Sequence, residues 1–271
     1  MTISELRLAL DISFDNKDEV LKRHAKQMFN GSYLFVDSVD GSCYLFNKDG
    51  NEDDITKLDC IRNNLFRNDS NLKLVKIPDN VASIGHAAFS GCTNLTSVAI
   101  SDGITTIEGY AFFGCSSLMN ITIPDSVTDI GFHAFCRCHS LTDATIPGSA
   151  TCIKDYIFTD CIKLANVAID DGVTRIGDAA FCRCYALTDV TIPGSITSIG
   201  HYAFADCTSL IRITIPSNVT SIGSYAFSGC TNCTNIKELI FKGKTLDEVK
   251  AMKYYPWGIR DKSVIRCDAT D

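Results

Sequence analysis

The residues that first suggest chemistry are the thiols. The chain holds 14 cysteines, and Cys136-Arg137-Cys138 and Cys182-Arg183-Cys184 repeat a C-x-C pair that, as four thiolates, has the composition of a structural zinc site. In a small secreted protein the same count would read as a disulfide framework. Five histidines, His24, His86, His133, His139 and His201, add candidate bases or metal ligands. Each of these readings requires the groups to converge, and convergence depends on the elements that carry them.

Those elements repeat. Phe89, Phe112, Phe135, Phe158, Phe181, Phe204 and Phe227 follow one another at intervals of 23 residues, and Phe66 extends the series toward the N-terminus, so eight coils can be counted. Five residues before each Phe stands Ile, from Ile84 to Ile222; three after it stands Cys, from Cys92 to Cys230. Leu95 to Leu210 follow at six, and Ile100 to Ile215 at eleven. The unit reads I-G-x-x-A-F-x-x-C-x-x-L-x-x-V-x-I-P. One such coil cannot bury its own apolar face, so neighbours must stack into a solenoid.

Spacing within the unit assigns its parts. Ala88, Phe89, Cys92 and Leu95, at intervals of three and four, predict a short helical turn with one buried face. Val98-x-Ile100 predicts a short strand, and Val81-x-x-Ile84 a second, closed by Gly85, which is free to take positive φ at a corner. Pro124, Pro147, Pro193 and Pro216 end the first strand where no amide hydrogen is needed. Parallel strands about 4.8 Å apart then set every column of the repeat in single file.

Stacking decides the question of the thiols. Cys138 and Cys184 fall in an inward column, while Cys136 and Cys182 lie two rungs apart, about 10 Å. That is too far for one metal ion, or for a disulfide, whose Cα atoms lie within about 7 Å. The ladder cysteines are expected to be reduced and to serve as small apolar core residues. His86 and His201 share a column at roughly 24 Å separation, and no histidine forms a triad or metal spacing. No catalytic residue, metal ligand or cofactor is expected.

Variety is confined to the outward columns. Eight residues after each Phe come Ser97, Asn120, Asp143, Asn166, Asp189 and Arg212; two before it come Ala87, Tyr110, His133, Tyr156, Ala179, Tyr202 and Tyr225. The candidate binding residues are Asn120, Asp143, Asn166, Asp189 and Arg212 on the strand face, and Tyr110, Tyr156, Tyr202 and Tyr225 in the aromatic column. A solvated sheet surface and a plain stacking ladder are the alternatives. The column Thr105, Thr128, Thr151, Thr174, Thr197 and Thr220 has the regularity of an ice-binding lattice, and β-propensity accounts for it as well.

Over roughly residues 58 to 242, the order A-F-x-x-C-x-x-L-x-x-V-x-I-P resembles the BspA-like subclass of leucine-rich repeats. The resemblance implies a repeat solenoid of leucine-rich-repeat type and a non-enzymatic surface, adhesive or partner-binding role. Three departures stand out. The coil of Phe66 has Asp69 in place of Cys, and the coil of Phe158 has Lys154 for Gly and Ile157 for Ala. After Cys230 the pattern resumes three residues late, as Cys233, Ile236, Leu239 and Phe241, which predicts a small insertion or bulge.

At 271 residues and 45% hydrophobic, the chain can bury a substantial core. With 25 Lys+Arg against 32 Asp+Glu the formal charge is −7, and with no basic block nucleic acid is not an expected partner. No apolar stretch approaches the roughly 20 residues of a spanning helix, so membrane insertion is not expected. The segment Met1 to Leu8, soon followed by Asp11, Asp15 and Asp18, lacks the features of a secretory signal. The expected location is cytoplasmic or virion-associated, with the cell surface by a non-standard export route as the alternative.

Three regions are expected: an N-terminal α+β module or cap at 1–56, a solenoid of about eight coils at 57–242, and a C-terminal helix-strand cap at 243–271. In the first, Asp15 to Phe29 reads as a capped helix stopped by Asn30-Gly31. Tyr33 to Val36 and Cys43 to Phe46 read as a hairpin around Asp40-Gly41. In the last, Thr245-Leu246-Asp247-Glu248 is a capping box opening a helix to about Lys253. Tyr254 to Ile259, with Trp257, supplies apolar cover for the open core, and Ser263 to Cys267 a final strand. The sequence thus describes a binding scaffold that recognises a protein or glycan through its solenoid surface; a structural component or adhesin on a cell surface or virion is the alternative.

Overall fold

The computed structural model describes residues 60–70, 72–77, 79, 81–229 and 236–269, together with the backbone of four short strands between 26 and 53. Its centre is a parallel solenoid. One face is a nine-stranded sheet that runs from Leu74–Lys76 through Ser97–Ala99, Asn120–Ile121, Asp143–Ile146, Asn166–Ile169, Asp189–Thr191, Arg212–Ile215 and Glu238–Phe241 to Ile265–Cys267. Its register advances one repeat per rung, as in Asp143↔Asn166, Asn166↔Asp189 and Asp189↔Arg212. At the last coil Arg212 pairs with Glu238, which places the three extra residues between these strands. The segment that holds them, 230–235, lies outside the described residues.

The core is built from repeated columns. The Phe rings from Phe66 to Phe227 stack nearly parallel, with centroids 5.1 to 5.8 Å apart. Each has 0 or 1% exposure. The cysteine column has a structural use: the thiol of Cys92 donates to the carbonyl of Phe66 at 2.9 Å, and that of Cys161 to Phe135 at 3.1 Å, with the same bond at Cys115, Cys138, Cys184 and Cys207. Cysteine is small enough for the column and still offers a weak donor to a buried oxygen.

The expected helical turn is corrected by the structure: the segment around each Phe is a chain of tight turns. The N–H groups of Ala87, Phe89 and Gly91 donate forward to Gly109, Ala111 and Phe113 of the next coil at 2.7 to 3.0 Å, while those of Ala88, Ser90 and Cys92 turn back three residues at 3.1 Å. Positive φ at Ala87 (52°) and Gly91 (74°), repeated coil by coil, produces this alternation. A helix of one turn carries the full cost of nucleation, whereas stacking offers each second amide a partner in the next coil. The buried face is as the spacing implied, with Ala88, Phe89, Cys92 and Leu95 all at 0% exposure.

The second strand of each coil forms another face, which is divided. Cys60–Ile61, Ser83–Ile84, Thr106–Ile107 and Asp129–Ile130 make one four-stranded sheet, and Cys152–Ile153, Arg175–Ile176, Ser198–Ile199 and Ser221–Ile222 a second. The gap falls at the coil with the sequence departures. At Gly131, Gly177, Gly200 and Gly223 a Cβ would overlap the backbone of the preceding coil; Lys154 carries that Cβ. Glu108 occupies the same column with its amide still 2.8 Å from the Ile84 carbonyl, so the Cβ alone does not open a rung. The coil of Lys154 differs further. Ala150 replaces the Val or Ile of other coils, Ile157 replaces Ala, both are buried, and Lys154 Nζ reaches back to the Asp129 carboxylate at 2.5 Å.

The flanks differ in how closely they follow the sequence. Tyr33–Val36 and Cys43–Phe46 pair antiparallel, with Val36 opposite Cys43. Lys26–Gln27, expected as helix, is instead a strand paired to Tyr33–Val36, since a ladder partner outweighs weak local propensity; the rest of that expected helix lies outside the described residues. At the other end the capping box forms, with Thr245 and Glu248 bonding reciprocally, and the helix spans Leu246–Ala251. Trp257 is fully buried, its indole N–H donating to Lys253 at 2.9 Å. Its carbonyl accepts from the Phe227 amide at 3.0 Å, so the cap imitates one more coil.

Candidate functional site

The strand-face candidates stand in single file. Asn120, Asp143, Asn166, Asp189 and Arg212 are exposed, and each lies opposite the next in the parallel ladder. The file is partly bonded to itself. Asp143 accepts from Thr142 Oγ1 at 2.6 Å and from Asn166 Nδ2 at 2.8 Å, and these two bonds hold its carboxyl below the usual range. Arg212 pairs with Glu238 at 2.6 Å. Asp189, between Asn166 and Arg212, keeps its carboxylate free of side-chain partners among the described residues. With Thr188, Ile211, Arg212, Lys237 and Glu238 it lines a shallow groove at the C-terminal end of the face.

The aromatic column separates into two groups. Tyr110, His133 and Tyr156 stack at 4.7 Å and within 13° of parallel. Tyr202 and Tyr225 stack at 5.3 Å. Ala179 lies between the groups and is buried. All five ring residues hold positive φ, between 56° and 60°, a conformation that is rare for large side chains and is imposed here by the alternating turns. Burial lowers the pKa of His133, opposed by Asp155, and its Nδ1 is buried without a hydrogen-bond partner among the described residues.

The column one residue earlier does a different job. His86 N–H donates to Asn63 Oδ1 at 2.8 Å, Asp178 N–H to Asp155 Oδ1 at 2.9 Å, and His201 N–H to Asp178 Oδ1 at 2.8 Å. The side chains of Asn63, Asp155, Asp178 and His201 thus accept the amide of the coil that follows. Gly109 and Phe132 offer no acceptor in this column, and Phe132 is an apolar ring with 49% exposure. It sits beside the stack, 5.4 Å from Tyr110 and 6.0 Å from His133, and nearly perpendicular to both. Phe113 also contacts Tyr110, at 5.6 Å, with Arg137 over its ring.

Comparison with known proteins rests on the repeat. Residues 59–187 and 151–244 match the family described as BspA type Leucine rich repeat region, in six copies. The chain belongs to this family. A leucine-rich repeat protein of T. pallidum, with a solved structure, is similar at 25% identity and a TM-score of 0.52, covering 76% of this chain and 89% of that one. A leucine-rich repeat protein of Eubacterium ventriosum is similar at 30% identity and a TM-score of 0.52 over 58% of this chain and 42% of that one. None of the curated proteins matches.

In this BspA type solenoid the thiols are poorly suited to nucleophilic or metal chemistry. Burial raises the pKa of Cys115, Cys138 and Cys184 well above the ordinary thiol value and pushes Cys136 up to about 12, so the thiolate form is suppressed. None of the described cysteines is in a disulfide. No group of three or more His, Cys, Asp or Glu converges for a metal ion among the described residues. The threonine column is used internally: Thr105, Thr128, Thr174, Thr197 and Thr220 donate their hydroxyls to carbonyls of the preceding coil at 2.9 to 3.4 Å. Phe113 and Phe132 do not follow from the regular columns of the sequence. Their signal is the break in a column, a large apolar residue where the other coils are small or polar.

Proposed function

We propose that this BspA type protein is a non-enzymatic scaffold that recognises a macromolecular partner, protein or glycan, through its outward columns, with Asn120, Asp143, Asn166, Asp189 and Arg212 as the principal contacts. One observation carries this reading. Inward columns repeat the same residue type coil after coil, while the strand-face file changes identity at nearly every rung on a rigid spacing. A spacer would need no such variety. Extended files of this kind suit a large partner better than a small molecule, because solenoids build surface rather than enclosed pockets. Tyr110, Tyr156, Tyr202 and Tyr225 are secondary contacts, and residues 1–56 serve as cap or attachment module.

The test is affinity capture with the full chain against protein and glycan partners, followed by Asp143→Lys, Asp189→Lys and Arg212→Glu. Each should weaken capture while shifting stability by no more than about 0.5 kcal/mol, as exposed substitutions do. Unchanged capture in the triple variant would remove the strand face from the reading.

A further inference from the structure

The aromatic column is interrupted once between rings. Tyr110, His133 and Tyr156 stack on one side of Ala179, and Tyr202 and Tyr225 on the other. Parallel rings with centroids 4.7 or 5.3 Å apart overlap by their faces, since rings lying side by side in one plane would collide at those distances. Tyr156 therefore turns one face to His133 and the other toward Ala179, while Tyr202 turns one face to Tyr225 and the other toward Ala179. Neither inner face is met by a ring or a cation among the described residues. Exposure agrees: His133, with a ring on each side, is half-buried, whereas Tyr156 and Tyr202 are 42% and 46% exposed.

The gap has the width of one ring. Tyr156 and Tyr202 stand two rungs apart, about 10 Å, so a planar group midway lies about 5 Å from each, the spacing the column itself uses. At the other small residue of the column, Ala87, the preceding residue His86 reaches Tyr110 at 5.5 Å. Beside Ala179 the preceding residue is Asp178. Its Oδ1 accepts the His201 amide at 2.8 Å, and Asp155 Oδ1 accepts the Asp178 amide at 2.9 Å, which sets one carboxylate on each side of the Ala179 rung. The second oxygen of each makes no hydrogen bond or ion pair among the described residues. Lys154 and Arg183 are tied to Asp129 and Asp160 instead.

We propose that the gap over Ala179 receives the guanidinium of an arginine on a partner protein. A guanidinium is planar, stacks on aromatic faces and pairs with carboxylates through a fixed fork of donors. Tyr156 and Tyr202 cover its two faces, and Asp155 and Asp178 meet its edge. An aromatic guest would displace water from both carboxylates and pair with neither, and an anionic guest would be repelled by them. The proposal rests on the reading of the chain as a partner-binding scaffold and adds a contact of stated chemistry outside the strand-face file.

NMR titration of the full chain with capped glycine pentapeptides carrying arginine, lysine, citrulline or tryptophan at the centre tests the gap. The arginine peptide should give saturable shifts at the amides of Asp178, Ala179 and Tyr202. The lysine peptide should bind more weakly, and citrulline, of the same shape without the charge, should be silent. Ala179→Tyr supplies the missing ring, as four other rungs of the column do, and should abolish binding at an unchanged or higher melting temperature. Asp155→Asn with Asp178→Asn keeps both amide acceptors, as Asn63 does at its own rung, and should weaken the arginine peptide by about tenfold. Silence of the arginine peptide, equal binding of the lysine peptide, tighter binding of the tryptophan peptide, or binding that survives Ala179→Tyr overturns the proposal. The peptides need no captured partner, so failure here leaves the strand-face file to its own test, and failure of capture leaves this result standing.

Discussion

The coils of Phe158 and Phe181 follow one 23-residue template and solve it differently. In the coil of Phe181 both strands pair with their neighbours, Arg175–Ile176 with Cys152–Ile153 and Asp189–Thr191 with the strands on each side. In the coil of Phe158 the main sheet is fully paired, with four residues of Asp143–Ile146 matched to Asn166–Ile169, as many as at any rung. Its Cys152–Ile153 has no partner in Asp129–Ile130. The turn amides still cross, His133 to Asp155 at 3.2 Å and Phe135 to Ile157 at 3.0 Å. Continuity of the solenoid therefore rests on the main sheet, the turns and the Phe stack. The second sheet tolerates a missing rung.

That comparison breaks first at the Phe stack. Phe158→Asp and Phe181→Asp should each unfold the solenoid, because an unpaired carboxylate buried in the core costs on the order of several kcal/mol. Loss of the cooperative thermal transition in both is the expected result. A Phe158 variant that melts like the parent would mean the open coil is locally loose and would reverse the assignment above.

The open rung itself should be movable. Lys154→Gly removes the Cβ and the tie to Asp129, so hydrogen exchange at residues 151 and 154 should slow toward the rate at Thr174 and Gly177. The gain of one or two hydrogen bonds, each about 1 kcal/mol, is partly offset by the backbone entropy of glycine, about 0.5–1 kcal/mol. Exchange rates unmoved at 151 and 154 would separate the gap from Lys154.

The smallest effect belongs to His133, which spans the open rung between the coils of Phe135 and Phe158 by stacking on Tyr156. Its folded pKa is lowered, so stability is complete above the unfolded value of about 6.5. It falls as pH drops from there toward the folded pKa, where the unfolded chain binds the extra proton. His133→Phe keeps a ring in the stack and should flatten the decline in melting temperature between about pH 7 and pH 5. An unchanged slope would show that another group sets it.

Much of this was legible in residue order. Phe, Ile, Leu and Cys at fixed offsets implied stacked coils, and the late return at Ile236 and Leu239 implied the 26-residue step that Arg212↔Glu238 displays. Lys154 and Ile157 marked the coil where pairing changes. The helical turn was misread because intervals of three and four describe which side chains are buried. They do not say where the amides go. The strand-face file was also legible, since period-two alternation assigns faces. The surroundings of Phe132 were not, because they depend on the Tyr110 ring of the neighbouring coil.

By itself the sequence determined the solenoid, its inward columns and its family, since a side chain recurring at one offset has only one place to go when coils stack. Only the tertiary structure decided the alternating turns, the division of the second sheet and the grouping of Tyr110, His133 and Tyr156. These depend on what the neighbouring coil presents to each amide and each ring. A repeat pattern specifies the column in which a residue stands, whereas its partner is set by contact across the rung.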